Sequence, residues 1–185
     1  VLFLLFPGPW KQKLGYIPFS ILVMHITNVL RIVFLTLTLL WFPDEWDFLI
    51  DPEFLGEQLG YFRSGKIGGN WTKIRTKTLS WSDQGLRYYK GDTWYRSSVV
   101  IPEKFKDKKI FLWFGGVDEL AKVWLNGNEV GTSPGKAFVP FEFDVTNSVN
   151  WGRENFVAVK ITNKILNELG TGGITAPVMF YAQQE

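Results

Sequence analysis

Few residues in this chain have side chains suited to covalent chemistry, and their types exclude much of it. There is one histidine, His25, in an apolar stretch, and there is no cysteine. A Ser-His-Asp triad and a multi-histidine metal site are therefore unavailable within the rest of the chain, and a thiolate-ligated zinc, a cysteine nucleophile and a disulfide framework are excluded. No metal and no cofactor is expected. What remains is carboxylates and hydrogen-bonding loops. Glu168 follows Asn167 at the head of a glycine-rich run, Asn167-Glu168-Leu169-Gly170-Thr171-Gly172-Gly173-Ile174. Its glycines admit φ > 0 and the close approach of a ligand or another chain segment, so the loop is built to fit something. Asp118 lies in a turn and Asp144 precedes Thr146 and Asn147, where short carboxylates accept bonds from local backbone N–H groups. Both read as structural, and no residue is assigned a catalytic role.

The elements that must hold these loops are strands. Nine Trp, six Tyr and sixteen Phe favour pleated, half-buried surfaces. From residue 44 onward, short apolar segments alternate with turn residues, and strands are predicted over 72–78, 93–101, 109–115, 120–126, 139–144, 155–162 and 173–182. Val157, Val159 and Ile161 alternate with Ala158, Lys160 and Thr162, the period of a sheet with one buried face. Ile110-Phe111-Leu112-Trp113-Phe114 is apolar on both faces, as in a central strand. Asn126-Gly127 between two extended pieces predicts a tight hairpin. Trp94 and Arg96 share one strand face and Tyr95 takes the other. No helical periodicity of comparable strength follows residue 62. The pattern predicts an all-β fold, an antiparallel β-sandwich or jelly roll, with Trp113, Val123, Leu125, Phe141, Val157, Val159 and Ile161 in its core.

The N-terminal part differs from the rest. Residues 1–43 hold Lys11, Lys13 and Arg31 and no acidic residue, and two nearly continuous apolar runs, 21–26 and 32–42, lead to Pro43 and the cluster Asp44, Glu45 and Asp47. Removing those three from the twenty basic residues leaves seventeen against eighteen acidic ones. The balance after residue 43 gives no electrostatic reason to bind nucleic acid. Read from Met24, the order of Arg31, apolar run and break resembles an export signal, so Met24 is the expected true start. An uncleaved anchor is the alternative, because no Ala-x-Ala-like pair precedes Asp44; a buried helix of the fold is a third reading. The expected organisation is a signal- or anchor-like segment over 1–43 and a sandwich over 44–185. Membrane contact is expected only through residues 19–42, and the protein is expected to be exported, or cytoplasmic if the segment is not a signal.

A set of blocks runs in order along the sandwich: Asp51-Pro52-Glu53-Phe54-Leu55-Gly56-Glu57, Gly60-Tyr61-Phe62, Trp71, Gly91-Asp92-Thr93-Trp94-Tyr95-Arg96, Ile101-Pro102, Phe114-Gly115-Gly116-Val117-Asp118, Val123-Trp124-Leu125-Asn126-Gly127, Val130-Gly131, Pro140 to Thr146, and Gly172-Gly173-Ile174 with Pro177-Val178. Together they resemble the N-terminal sugar-binding domain of glycoside hydrolase family 2, the family of β-galactosidases, β-glucuronidases and β-mannosidases, over about residues 46–182. The resemblance implies a galactose-binding-like jelly roll followed by an immunoglobulin-like domain and a catalytic (β/α)₈ barrel. Neither follower lies within this sequence, so the expected partners are a carbohydrate and those two missing domains. No catalytic residue is expected here. Asn167-Glu168 matches the acid/base pair of such barrels by accident, because it lies in a sandwich loop and a retaining glycosidase needs a second carboxyl group about 5–5.5 Å away.

In relatives, the segment before the Trp-Tyr-Arg-like strand and the loop before the Gly-Gly-Ile block contribute polar contacts to substrate. Carried onto this chain, these are 84–93 and 163–173. The implied sugar-binding residues are Tyr88, Tyr89, Asp92 and Trp94 from the first, and Asn163, Asn167, Glu168 and Thr171 from the second. Flat rings beside directional donors and acceptors suit a sugar. The first loop lacks the Asn that some β-galactosidases place there, so galactose specificity does not transfer. Two other classes compete: an autonomous carbohydrate-binding module, which needs a complete exposed aromatic platform, and a ligand-free structural or interaction sandwich at the cell envelope.

Overall fold

The structure is a computed structural model that describes residues 21–30, 39–65, 67–118, 120–164 and 171–183, with side chains from residue 42 onward in the second unit. Two compact units divide at residues 38 and 39. In the first, residues 21–30 form helix α1. Among the described residues no helix is long and apolar enough to cross a membrane.

The second unit consists of β1 (Leu39–Trp41), β2 (Glu45–Asp51), the single turn α2 (Gly56–Leu59), β3 (Thr72–Arg75), β4 (Gly91–Val100), β5 (Ile110–Phe114), β6 (Val117–Asp118), β7 (Leu120–Leu125), β8 (Asn128–Thr132), β9 (Phe141–Asp144), β10 (Glu154–Asn163), β11 (Gly173–Ile174) and β12 (Val178–Ala182). A six-stranded sheet, ordered β3-β2-β4-β10-β7-β8, packs on a four-stranded sheet, ordered β1-β12-β5-β9, and β11 pairs with β6. Every described pairing is antiparallel, the predicted all-β sandwich.

Alternation sets the core. Val123, Leu125, Val157, Val159 and Ile161 are fully buried. Trp113 is a correction: on β5 the inward residues are Ile110, Leu112 and Phe114, and Trp113 is half-buried on the opposite face. A run apolar on both sides carries no periodic signal to say which side faces in. Phe141 is half-buried and packs against the core edge, its ring 4.9 Å from that of Phe114. The turn at Asn126 and Gly127 has φ of 52° and 86°, the left-handed pair that the Asn-Gly hairpin demands.

The sandwich begins before the expected boundary at residue 44. Leu39–Trp41 pairs along β12, and Phe42 is buried with its ring 5.0 Å from Trp46 and 5.4 Å from Phe180. The apolar composition of residues 39–42 therefore belongs to a sheet edge and a core. Strand β2 escaped prediction because Glu45, Asp47 and Asp51 dilute its apolar count, although Trp46 and Phe48 alternate inward. The predicted strand 173–182 is two strands, broken at Pro177, which has no N–H to give to a ladder.

A second aromatic cluster covers the opposite face of the six-stranded sheet. Trp94, Trp124 and Ala158 are buried there under the segment between β2 and β3, with Tyr61, Phe62 and Trp71 packed on them. Phe62 stacks on Trp124 at 5.4 Å and Tyr61 meets Trp94 edge-on at 5.8 Å. The Arg96 guanidinium lies 4.8 Å from the Trp71 ring and 4.5 Å from that of Phe156, and donates to the carbonyls of Arg63 and Gly65. Asp51 closes the start of the segment. Its carboxylate accepts from the N–H of Leu55 and of Gly56 at 3.0 and 2.8 Å, and from Trp94 Nε1 at 3.0 Å.

Glycine at 56 is required by that contact, because an added Cβ would sit 2.1 Å from Trp94 Nε1. Gly56→Ala is expected to destabilise the domain by about 1–3 kcal/mol through overpacking. Urea unfolding measures it; an unchanged midpoint would show that the segment yields freely.

Candidate functional site

The two loops singled out in the sequence converge at one end of the sandwich, because β4 starts at Gly91, β10 ends at Asn163, and these two residues are register partners. Between them opens a recess of about 330 Å³ lined by Phe54, Lys90, Gly91, Thr162, Asn163 and Lys164. Phe54 is 61% exposed and holds φ of 59°, a left-handed conformation that costs a bulky residue energy and is concentrated at functional sites. Asn163 is 4% exposed, and its side-chain oxygen is buried with no hydrogen-bond partner among the described residues. Native structures rarely leave such an atom unmet without water or a ligand.

The predicted residues divide in position. Asn163 lines the recess. Asp92 lies beside it in the ladder, buried, accepting from the Thr162 hydroxyl at 2.6 Å and lying 3.5 Å from Lys160 Nζ. Tyr88 is 77% exposed, with its ring near the Arg87 guanidinium. Tyr89 is half-buried against Trp81, and its hydroxyl donates to the Asp92 carbonyl at 2.7 Å; burial pushes that hydroxyl up to about 12. Trp94 is a correction to the implied sugar contacts. It is wholly buried and its one N–H is given to Asp51, so it offers nothing to a ligand. Thr171 donates to the Asp118 carboxylate. Asn167 and Glu168 lie outside the described residues. Phe54, Lys90, Thr162 and Lys164 were not singled out as sugar contacts, although both lysines fall within the predicted loops; Phe54 stands 37 positions from Gly91 in sequence and only the pairing of β2 with β4 brings it near.

The glycine-rich loop fits a partner within the chain. Gly172 and Gly173 have φ of 149° and 93°, and an added Cβ would lie 2.5 and 2.6 Å from Trp81 atoms. Trp81 donates its backbone N–H to the Gly172 carbonyl and its indole N–H to the Tyr95 hydroxyl at 2.6 Å. Their close approach is therefore to an indole.

Charges near the recess are mostly spent. Glu57 accepts from Lys160 at 2.5 Å and Lys122 at 3.0 Å, and the hydrogen bond from Lys160 is the main cause that holds its carboxyl below the ordinary 4.5. Lys90 and Lys164 are exposed and have no acidic partner among the described residues. Among the described residues no group of three His, Cys, Asp or Glu side chains is placed to hold a metal ion.

Among the described residues, a six-stranded and a four-stranded antiparallel sheet packed as a sandwich define a galactose-binding-like fold. The family model described as glycosyl hydrolase 2 galactose-binding domain-like matches residues 69–171, more than half of the sequence, and the chain belongs to that family. It is 39% identical over 85 residues to a β-glucuronidase of Paenibacillus borealis, covering 46% of this chain and 14% of that protein. It is 34% identical over 94 residues to a β-galactosidase of Thermoanaerobacter pseudethanolicus, covering 50% of this chain and 12% of that one. The crystal structure of Ruminococcus gnavus β-glucuronidase superposes with a TM-score of 0.70 at 25% identity, over 80% of this chain and 29% of that chain. The chain thus spans a small fraction of the length of the relatives it matches.

Two measurements follow from this geometry. Tyr95→Phe leaves the buried Trp81 N–H unmet and is expected to cost about 1–3 kcal/mol in urea unfolding; no loss would mean the indole finds another acceptor. Because the folded Glu57 value is depressed, its ion pairs contribute above pH 4.5 and that contribution is lost as pH falls through the folded value. Glu57→Gln should therefore lower stability at pH 7 and converge on the wild type in acid. A constant difference between them from pH 7 to pH 3 would contradict the pairing.

Proposed function

We propose that the chain is the noncatalytic sugar-binding domain of a family 2 glycoside hydrolase acting on O-glycosidic bonds in carbohydrate metabolism, and that its recess forms part of the wall of the sugar site. The observation that carries this reading is the recess that opens beside the Gly91–Asn163 register pair, where the two loops leave the sheet, with the exposed Phe54 ring on its wall. The Phe54 ring offers an apolar face to ring C–H groups. Membership of the family and the small share of the relatives' length support a place in a longer enzyme whose immunoglobulin-like domain and barrel carry the chemistry. The acid-free apolar composition of residues 1–38 supports export.

The whole chain, assayed against chromogenic β-glycosides, is expected to give no turnover, and calorimetry is expected to detect only millimolar sugar binding, because part of a pocket gives few contacts. Turnover abolished by Glu168→Gln would contradict the noncatalytic reading, whereas micromolar binding without turnover would favour an autonomous module.

A further inference from the structure

We propose that Asp51 is a positioning residue of the sugar site: its carboxylate holds the Phe54 ring at the rim of the recess, and that ring is the group that meets the sugar. The inference rests on the recess being a sugar site and names the contact made there and the residue that sets it.

The conformation of Phe54 has no local cause. Its φ of 59° lies in the left-handed region, which Gly, Asn and Asp enter far more readily than phenylalanine, and at 61% exposure the side chain is not held by the core. The cause is the closure on either side of it. The Phe54 N–H turns back to the Asp51 carbonyl at 3.4 Å, and the next two N–H groups, of Leu55 and Gly56, go to the Asp51 carboxylate oxygens at 3.0 and 2.8 Å. Three successive backbone donors thus converge on one residue, and the left-handed turn at Phe54 lets the chain reach it. The carboxylate is itself fixed: it is buried and also accepts from Trp94 Nε1 at 3.0 Å on the central strand β4. This anchorage lies beside the recess, because Asp51 is the register partner of Asp92, and Gly91, the residue before it on β4, is the partner of Asn163. Phe54 and Gly91 border the same space, an exposed ring beside a residue without a side chain, which leaves room for the C–H face of a sugar on the ring. The strain of the turn is therefore placed where the ring is used. Trp94, which touches no ligand, enters the site through Asp51.

The test is an amide NMR titration of the full chain at pH 7 with methyl β-D-glucoside, methyl β-D-galactoside and methyl β-D-glucuronide, followed at Gly91 and Asn163. It compares the wild type with Phe54→Ala, Phe54→Tyr, Asp51→Asn and the double variant Asp51→Asn/Phe54→Ala. Phe54→Ala, at an exposed ring, is expected to leave the unfolding midpoint nearly unchanged and to weaken the best-bound glycoside about fivefold or more, while Phe54→Tyr keeps the affinity. Asp51→Asn should weaken binding by a similar factor alone and by no further factor in Phe54→Ala, because a residue that acts through the ring has nothing left to act on. No loss in Asp51→Asn, or an equal loss in both backgrounds as general damage gives, overturns the positioning role. If Asp51→Asn does not fold, hydrogen exchange of the wild type decides. Glycoside at about ten times its dissociation constant should slow exchange of the Leu55 and Gly56 amides about tenfold, because the sugar binds only while Asp51 holds them. Unchanged exchange at those amides overturns the positioning role. Unweakened binding in Phe54→Ala, or a loss as large in Phe54→Tyr, overturns the contact and leaves the sugar site standing. Shifts from none of the three glycosides overturn the sugar site and the contact together.

Discussion

The buried carboxylate of Asp51 is the contact on which the rest of the arrangement depends. It stands at the end of β2 and takes bonds from Leu55, Gly56 and the Trp94 indole, so one side chain ties the chain after β2 to the central strand β4. A carboxylate with only 6% exposure survives there because three donors replace its lost water. That closure fixes where the aromatic cover of the second cluster begins. It also fixes Phe54, between the bonded residues, at the rim of the recess. Removing the donors would leave a buried charge unmet, so the segment and the sheet are coupled.

Strand β4 transmits this to the other side of the sandwich. Trp94 and Arg96 face the covering segment, and Tyr95 faces the main core, where its hydroxyl receives the Trp81 indole N–H. The glycines of the terminal loop then pack on Trp81. Three motif blocks that look independent in sequence thus form one continuous stack, from Asp51 through β4 to Gly172 and Gly173. The stack is buried, and the recess opens at residues 90–91 and 162–164 with Phe54.

Much of the fold was legible because strands with one buried face repeat every two residues, as Val157, Val159 and Ile161 do, and because Asn126-Gly127 can adopt few other turns. Where both faces are apolar, as at Trp113, the signal vanishes; where acidic residues crowd a strand, as at Asp47 and Asp51, it is diluted. The site was less legible. Trp94 has the type of a sugar-stacking residue, and only its burial under Tyr61 and its bond to Asp51 reveal a structural use. Phe54 joins the recess through strand pairing, which no local pattern encodes. Asn163 was legible as a polar loop-end residue, but its unmet oxygen is a property of packing. The apolar residues 39–42 read as continuous with the segment before them, and only the three-residue register of 39–41 with β12 at the sheet edge shows that they belong to the sandwich.

The central claim is that the recess is where a sugar touches this domain. Its most direct test is amine footprinting of the full chain: acetylation rates of individual lysines, read by mass spectrometry, with and without saturating saccharide. Protection confined to Lys90 and Lys164, with Lys73, Lys106 and Lys108 reacting unchanged, is the predicted result. Uniform rates at all five, or protection only at lysines distant from Gly91 and Asn163, would contradict the account.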